Sequence, residues 1–150
     1  MRYYEDYEQG MTQTVGTFSL EKKDIVAFAE QYDPLWLHTN EDRAQRESPF
    51  GGLIASGWQT VASCHGSIIS SEGSESPALG SPGVEAISWT KPVFPDDELT
   101  VSWRVLNRRV SNKLPDRGLV TIEVTATNQR EQEVLSYTPS MYIQRRDADK

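Results

Sequence analysis

The chain is predicted to fold as an α+β domain in which an antiparallel sheet wraps around one long central helix. Three features carry this expectation. Apolar residues recur with helical spacing in the first half, the stretch from Gly51 to Ile69 is built largely of Gly, Ala and Ser, and from Val101 onward the apolar period changes to two. Helices followed by a run of strands is the α+β order, and a helix dressed so sparingly can be approached closely on several sides.

Gln13 to Leu20 reads as a short strand. The next segment, Glu21 to Tyr32, keeps Ile25, Phe28, Ala29 and Tyr32 at helical spacing, with Ser19 available as N-cap. Pro34 disfavours the α conformation at Asp33, so this helix ends near Tyr32 and hands over to an extended segment. Thr39-Asn40-Glu41-Asp42 is a cap with an acidic first turn and opens a short polar helix through about Arg46, leaving His38 just outside it. In the small-residue helix, Ile54, Trp58, Val61, Ala62, His65, Ile68 and Ile69 form one stripe. Ser70 to Gly83 is rich in Ser, Gly and Pro and reads as an exposed loop.

The strands follow. Val101, Trp103 and Val105 alternate with Ser102 and Arg104. Val120, Ile122, Val124 and Ala126 alternate with Thr121, Glu123 and Thr125, and Val134 to Ile143 supplies the last strand. Turn signals at Pro95-Asp96-Asp97, Pro115-Asp116-Arg117-Gly118 and Asn128-Gln129-Arg130 separate them. Long outer strands expose edges and a face, which a homodimer joined through the sheets would cover.

With 150 residues the chain is expected to close one core, a single domain over 1–150. No stretch is suited to span a bilayer, and the N-terminus lacks the pattern of a secretory signal, so the cytoplasm is the expected compartment. Cys64 is the only cysteine, which excludes an intrachain disulfide, and His38 and His65 alone do not complete a structural zinc site. A net charge of -7 argues against nucleic-acid partners. Locally, Arg104, Arg108, Arg109, Lys113 and Arg117 stand against only Asp116. That segment is either a solvated hairpin or a surface for an anionic ligand.

Two places offer chemistry. Asp33 lies at the negative end of a helix, and His38 follows five residues later across a stiffening proline, close enough for both side chains to face one cavity and hold a water. The backbone N-H groups around Ala55, Ser56 and Gly57, at the start of the small-residue helix, favour developing negative charge. On the residues alone the plainer readings stay open: an Asp-Pro turn with an idle loop histidine, and glycines that merely allow close packing.

Asp33-Pro34-Leu35-Trp36-Leu37-His38-Thr39, followed by Ser48-Pro49-Phe50-Gly51-Gly52-Leu53-Ile54-Ala55-Ser56-Gly57-Trp58, resembles the signature of the MaoC-like acyl dehydratases, relatives of the (R)-specific enoyl-CoA hydratases. The similarity continues through Ser81-Pro82-Gly83-Val84, Trp89-Thr90-Lys91-Pro92-Val93 and Pro115-Asp116-Arg117-Gly118. The resemblance implies a hot-dog fold, a dimer, and reversible addition of water to a trans-2-enoyl thioester. It assigns Asp33 and His38 as the catalytic pair holding the water, and Gly57, with Ser56 beside it, to the thioester oxygen. Coenzyme A enters as part of the substrate, with no separate cofactor and no metal. The chain departs from the pattern at Leu35-Trp36, where such hydratases usually carry Asn-Pro, and at Ser56, where a histidine is frequent. Trp36 is either a wall of the acyl pocket or an ordinary packed aromatic, and His65 lines that pocket or the core. Two other readings remain: a non-catalytic thioester-binding hot-dog subunit and a hot-dog acyl-CoA thioesterase.

Overall fold

In the computed structural model, which describes residues 1–146, the period-two half of the chain builds one antiparallel sheet. Its strands are β1 (Thr12–Ser19), β2 (Gly83–Trp89), β3 (Glu98–Val110), β4 (Arg117–Thr127) and β5 (Glu133–Gln144), in spatial order β1-β3-β4-β5-β2. The alternation is strictest on β4, where Gly118, Val120, Ile122, Val124 and Ala126 are buried and the residues between them are not. Gly118 is needed for space, since a Cβ there would collide with the ring of Tyr4, which lies in a 3-10 turn (Tyr4–Asp6) against the sheet.

The helices are α1 (Lys22–Tyr32), α2 (Trp36–Thr39), α3 (Glu41–Glu47) and α4 (Gly57–Glu72). Cys64 and Ile68 of α4 join Ile25, Val101, Val105, Val124 and Leu135 in a single core. Asn40 caps α3 as expected, its Oδ1 accepting the Arg43 N-H at 3.0 Å. The fold is therefore the expected α+β arrangement, a sheet packed on one long helix.

Several details differ from the sequence reading. Ser19 is the last residue of β1, and Glu21 occupies the N-cap of α1 without a side-chain hydrogen bond. Of the α1 stripe only Ile25 and Ala29 are buried; Tyr32 is exposed and stacks on Phe28, ring centroids 5.0 Å apart. Only Pro34 and an extended Leu35 separate Asp33 from α2, so His38 sits on a helical turn rather than on a loop.

The face of α4 that enters the core runs through Ser56, Thr60, Cys64 and Ile68, whereas Trp58, Ala62 and His65 of the expected stripe are exposed in the single chain. Small and polar residues pack inward because the sheet approaches closely; the larger apolar ones are left on the uncovered side. Helix α4 also continues to Glu72, past the expected start of the loop, and stops at Gly73 with φ 86°. Strand β2 carries no alternation to predict it. It is an edge strand exposed along nearly its whole length, with a register irregularity between Glu85 and Ser88 and Ala86 at φ 54°.

The basic segment is largely knit into its own chain. Arg104 pairs with Glu123 at 3.1 Å, Arg117 with Asp116 at 2.8 Å, and Arg108 donates to the Tyr4 carbonyl at 3.2 Å while lying over the Tyr4 ring.

Burial pushes the Cys64 thiol up to about 12 from its usual 9.0. The folded state therefore keeps the thiol protonated where the unfolded chain ionises it. Below pH 9 the group contributes nothing to pH dependence; above it the unfolded state binds fewer protons and stability falls, by about 1.4 kcal/mol per pH unit from this group, until about pH 12. Denaturant titrations between pH 8 and 11 will show this decline, and Cys64→Ala, at some cost in packing, will make it shallower. The native thiol will also resist iodoacetamide at pH 8 and react once the chain is unfolded.

Candidate active site

Three chain segments converge at the N-terminus of α4. The first is the end of α1, where the Asp33 N-H closes the helix on the Ala29 carbonyl at 2.9 Å and Pro34 prevents continuation. The second is the single turn of α2, which carries His38. The third is the buried strap Leu53 to Ser56, tied on one side by Ile54 N-H to the Leu37 carbonyl (3.2 Å) and on the other by Ala55 N-H to the Val93 carbonyl (2.8 Å).

These ties place a compact polar network in an apolar wall. His38 is 6% exposed, and its Nδ1 is 2.8 Å from the Ile54 carbonyl oxygen. That oxygen only accepts, so Nδ1 carries the hydrogen and Nε2 is the ring nitrogen turned toward Asp33. Nε2 lies 3.4 Å from Asp33 Oδ2. The same Oδ2 accepts the Ser56 hydroxyl hydrogen at 2.7 Å, while Ser56 Oγ accepts the Trp58 N-H at 3.3 Å as the N-cap of α4.

A cavity of about 360 Å³ opens on this network, lined by Asp33, His38, Gly57, Trp89, Lys91 and Val93 among others. Gly57 is the first residue of α4, so its N-H has no helical partner and is free to bind an anionic oxygen. It must also be glycine. The pyrrole ring of the Trp89 indole lies against it: a Cβ would collide with Nε1 and come within 2.6 Å of Cε2 and 2.8 Å of Cδ1. Trp58 meets Trp89 edge-on at 5.2 Å, completing an aromatic rim beside the cavity.

Asp33, His38 and Gly57 are thus brought to one cavity. Ser56 is fully buried, and its hydroxyl holds Asp33 from behind. Trp36 lines neither this cavity nor the second one described below. It carries the Arg43 guanidinium over its ring at 4.4 Å, an outward-facing packed aromatic. His65 lies away from the pair, on a second cavity of about 300 Å³ lined also by Val61, Ile69 and Tyr137. Trp89 and the Ile54 carbonyl escaped the sequence reading. Both act across the fold, 32 residues from Gly57 and 16 from His38, and nothing local announces either. Among the described residues no cluster of three or more His, Cys, Asp or Glu is arranged to hold a metal.

The arrangement has the parts for water activation. Two acceptors, the free carboxylate oxygen of Asp33 and Nε2 of His38, can take the two hydrogens of one water and leave its lone pair aimed into the cavity, while a helix N-terminal donor stands ready for an oxygen of the reacting molecule.

The chain is similar to several proteins of known structure. A MaoC-like dehydratase from Rhodospirillum rubrum is 34% identical, covering 97% of this chain and 99% of that one, with a TM-score of 0.87. The R-hydratase PhaJ1 of Pseudomonas aeruginosa is 22% identical over 95% of this chain and 86% of its own, with a TM-score of 0.74. Rv0216 of Mycobacterium tuberculosis, which has a double hot-dog fold, superposes over 99% of this chain and 46% of its own, at 15% identity and a TM-score of 0.80. The last two likenesses are of fold, and identify the sheet packed on α4 as a hot-dog. The model of the MaoC-like domain matches residues 5–130, so the chain belongs to the MaoC-like domain family.

Proposed function

We propose that this protein is a hydratase/dehydratase that adds water reversibly to a trans-2-enoyl-CoA or a similar acyl thioester, with Asp33 and His38 as its acid/base pair. The observation that carries the proposal is the fixed carboxylate and imidazole: Ser56 holds one, the Ile54 carbonyl holds the other, and both open on one cavity. The hydratase or dehydratase names of the Rhodospirillum and Pseudomonas proteins are consistent with it.

In the hydration direction the pair binds water through both its hydrogens, and the oxygen attacks C3 of the enoyl group. As the C3-O bond forms, electron density moves through C2 to the thioester oxygen, where the Gly57 N-H stabilises the enolate-like state. One of the pair takes the water proton, and a proton from the same clamp is delivered to C2 on the same face. Coenzyme A is then carried by the substrate, and no further cofactor is called for. Lys91 is the cation on the cavity wall, suited to the phosphates of coenzyme A. The exposed β2 edge, with Val84, Trp89 and the neighbouring Trp58, is the surface through which we propose a cytoplasmic homodimer forms.

Asp33→Asn and His38→Gln are each expected to lower kcat/KM for a trans-2-enoyl-CoA by about 10²- to 10⁴-fold. The assay follows loss of the conjugated thioester absorbance, with free thiol measured in parallel. Ser56→Ala, which leaves both catalytic groups but frees Asp33, should lower kcat by about tenfold and change KM little. Hydration that survives both Asp33→Asn and His38→Gln would overturn the assignment; thiol release in place of hydration would make the protein a thioesterase, and binding with neither reaction a thioester-binding subunit.

Lys91→Ala is expected to raise KM several-fold at constant kcat, the signature of lost uniform binding. Arg108→Ala, whose side chain is already engaged with Tyr4, should leave both constants unchanged.

A further inference from the structure

The turn Pro95-Asp96-Asp97, between the cavity wall at Lys91 to Val93 and the start of β3, holds a buried ionisable side chain that the chemistry above does not use. Asp97 is 7% exposed, and among the described residues it has no basic partner in an ion pair. Its Oδ2 accepts the Phe94 N-H at 2.9 Å, and its Oδ1 accepts from Nε2 of Gln129 at 2.9 Å. Gln129 in turn accepts the Glu98 N-H at 3.1 Å. To accept the Phe94 N-H an uncharged asparagine would serve, and burying a charge costs far more than burying an amide.

The carboxylate is connected to the histidine. The Phe94 N-H belongs to the same peptide group as the Val93 carbonyl, which accepts the Ala55 N-H at 2.8 Å. That N-H belongs to the same peptide group as the Ile54 carbonyl, which accepts from His38 Nδ1 at 2.8 Å. Both peptides are trans, so in each the N-H and the C=O point to opposite sides and the hydrogen bonds continue from one group to the next. An unbroken chain thus leads from Asp97 through two peptide groups to the imidazole of His38. Negative charge at Asp97 polarises the first peptide toward the Val93 oxygen, and that peptide polarises the second toward the Ile54 oxygen. Linked hydrogen bonds of this kind strengthen one another by about 10–30% each. No proton moves along the chain.

We propose that Asp97 is a positioning residue for the hydration: it keeps the two peptide groups aligned and polarised, so that His38 takes the water proton and its ring is supported while it carries the charge. The proposal rests on the hydratase reading above and deepens it by naming the member of the pair that takes the proton. As the water oxygen bonds to C3, Nε2 of His38 receives the proton, and delivery of a proton from Nε2 to C2 discharges the ring.

Asp97→Asn, whose amide oxygen still accepts the Phe94 N-H without the charge, should lower kcat for a trans-2-enoyl-CoA about fivefold with KM unchanged, the mark of an interaction made in the transition state. In the ¹⁵N-labelled protein without ligand, the NMR signal of the hydrogen on His38 Nδ1 should move upfield as its bond to the Ile54 oxygen weakens; burial sets this signal apart from that of the exposed His65. Asp97→Asn combined with Gln129→Glu restores the contact between the two side chains with donor and acceptor exchanged, and moves the charge one group farther from Phe94. It should melt close to wild type yet keep the lowered kcat and the upfield signal. A wild-type kcat or a wild-type signal in that double variant would make Asp97 a support for the turn and nothing more, overturning the proposal. Absence of hydration by the wild type would overturn the hydratase reading and this step with it, whereas an unmoved signal in an active enzyme would overturn the proposal alone.

Discussion

The hydroxyl of Ser56 joins two parts of the molecule that are 23 residues apart. It accepts the Trp58 N-H that opens α4, and it donates to the carboxylate of Asp33 at the end of α1. One buried oxygen therefore sets both the start of the central helix and the orientation of the acid in the cavity. Its position follows from the strap before it, whose backbone is held between α2 and Val93. The carbonyl of Ile54, on that strap, fixes the tautomer of His38. A displacement of the strap by an ångström would disturb Asp33, His38 and the Gly57 N-H together, because all three are referred to the same few residues.

The sheet gives this arrangement its rigidity and its shape. Packing against β3 to β5 is so close that α4 presents serine, threonine and cysteine inward. The larger apolar residues, Trp58, Val61 and Ile69, are thereby left toward β2, where the two cavities lie end to end. Gly57 belongs to the same economy of space. Its missing side chain is filled by the indole of Trp89, so β2 helps form the rim of the first cavity while its upstream end lines the second.

Much of this was legible in the sequence where the signal is local. The three long strands have one buried and one exposed face, so Val101 to Val105, Val120 to Ala126 and Val134 to Ile143 show their period directly. Pro34 and Asn40 act on their own neighbours and mark the ends of α1 and the start of α3. Asp33 and His38 were visible as a pair, though only the resemblance raised them above a turn and an idle histidine. The misreadings share a different cause. The stripe on α4 was assigned by residue size, whereas burial is decided by how near the sheet comes. Strand β2 lies at an edge and has no buried face to impose a pattern. The bond of the Ser56 hydroxyl to Asp33 was not legible because its partner is distant in the chain, and the same holds for Trp89 against Gly57.

The central claim is that one clamp, Asp33 with His38, supplies both the water that adds at C3 and the proton that reaches C2. Hydration of a trans-2-enoyl-CoA in D₂O, with the product resolved by NMR, tests it most directly. A single deuteron at C2 on the same face as the new hydroxyl is the predicted result. A deuteron on the opposite face, or a mixture of the two, would require a second proton donor across the cavity and would contradict the account.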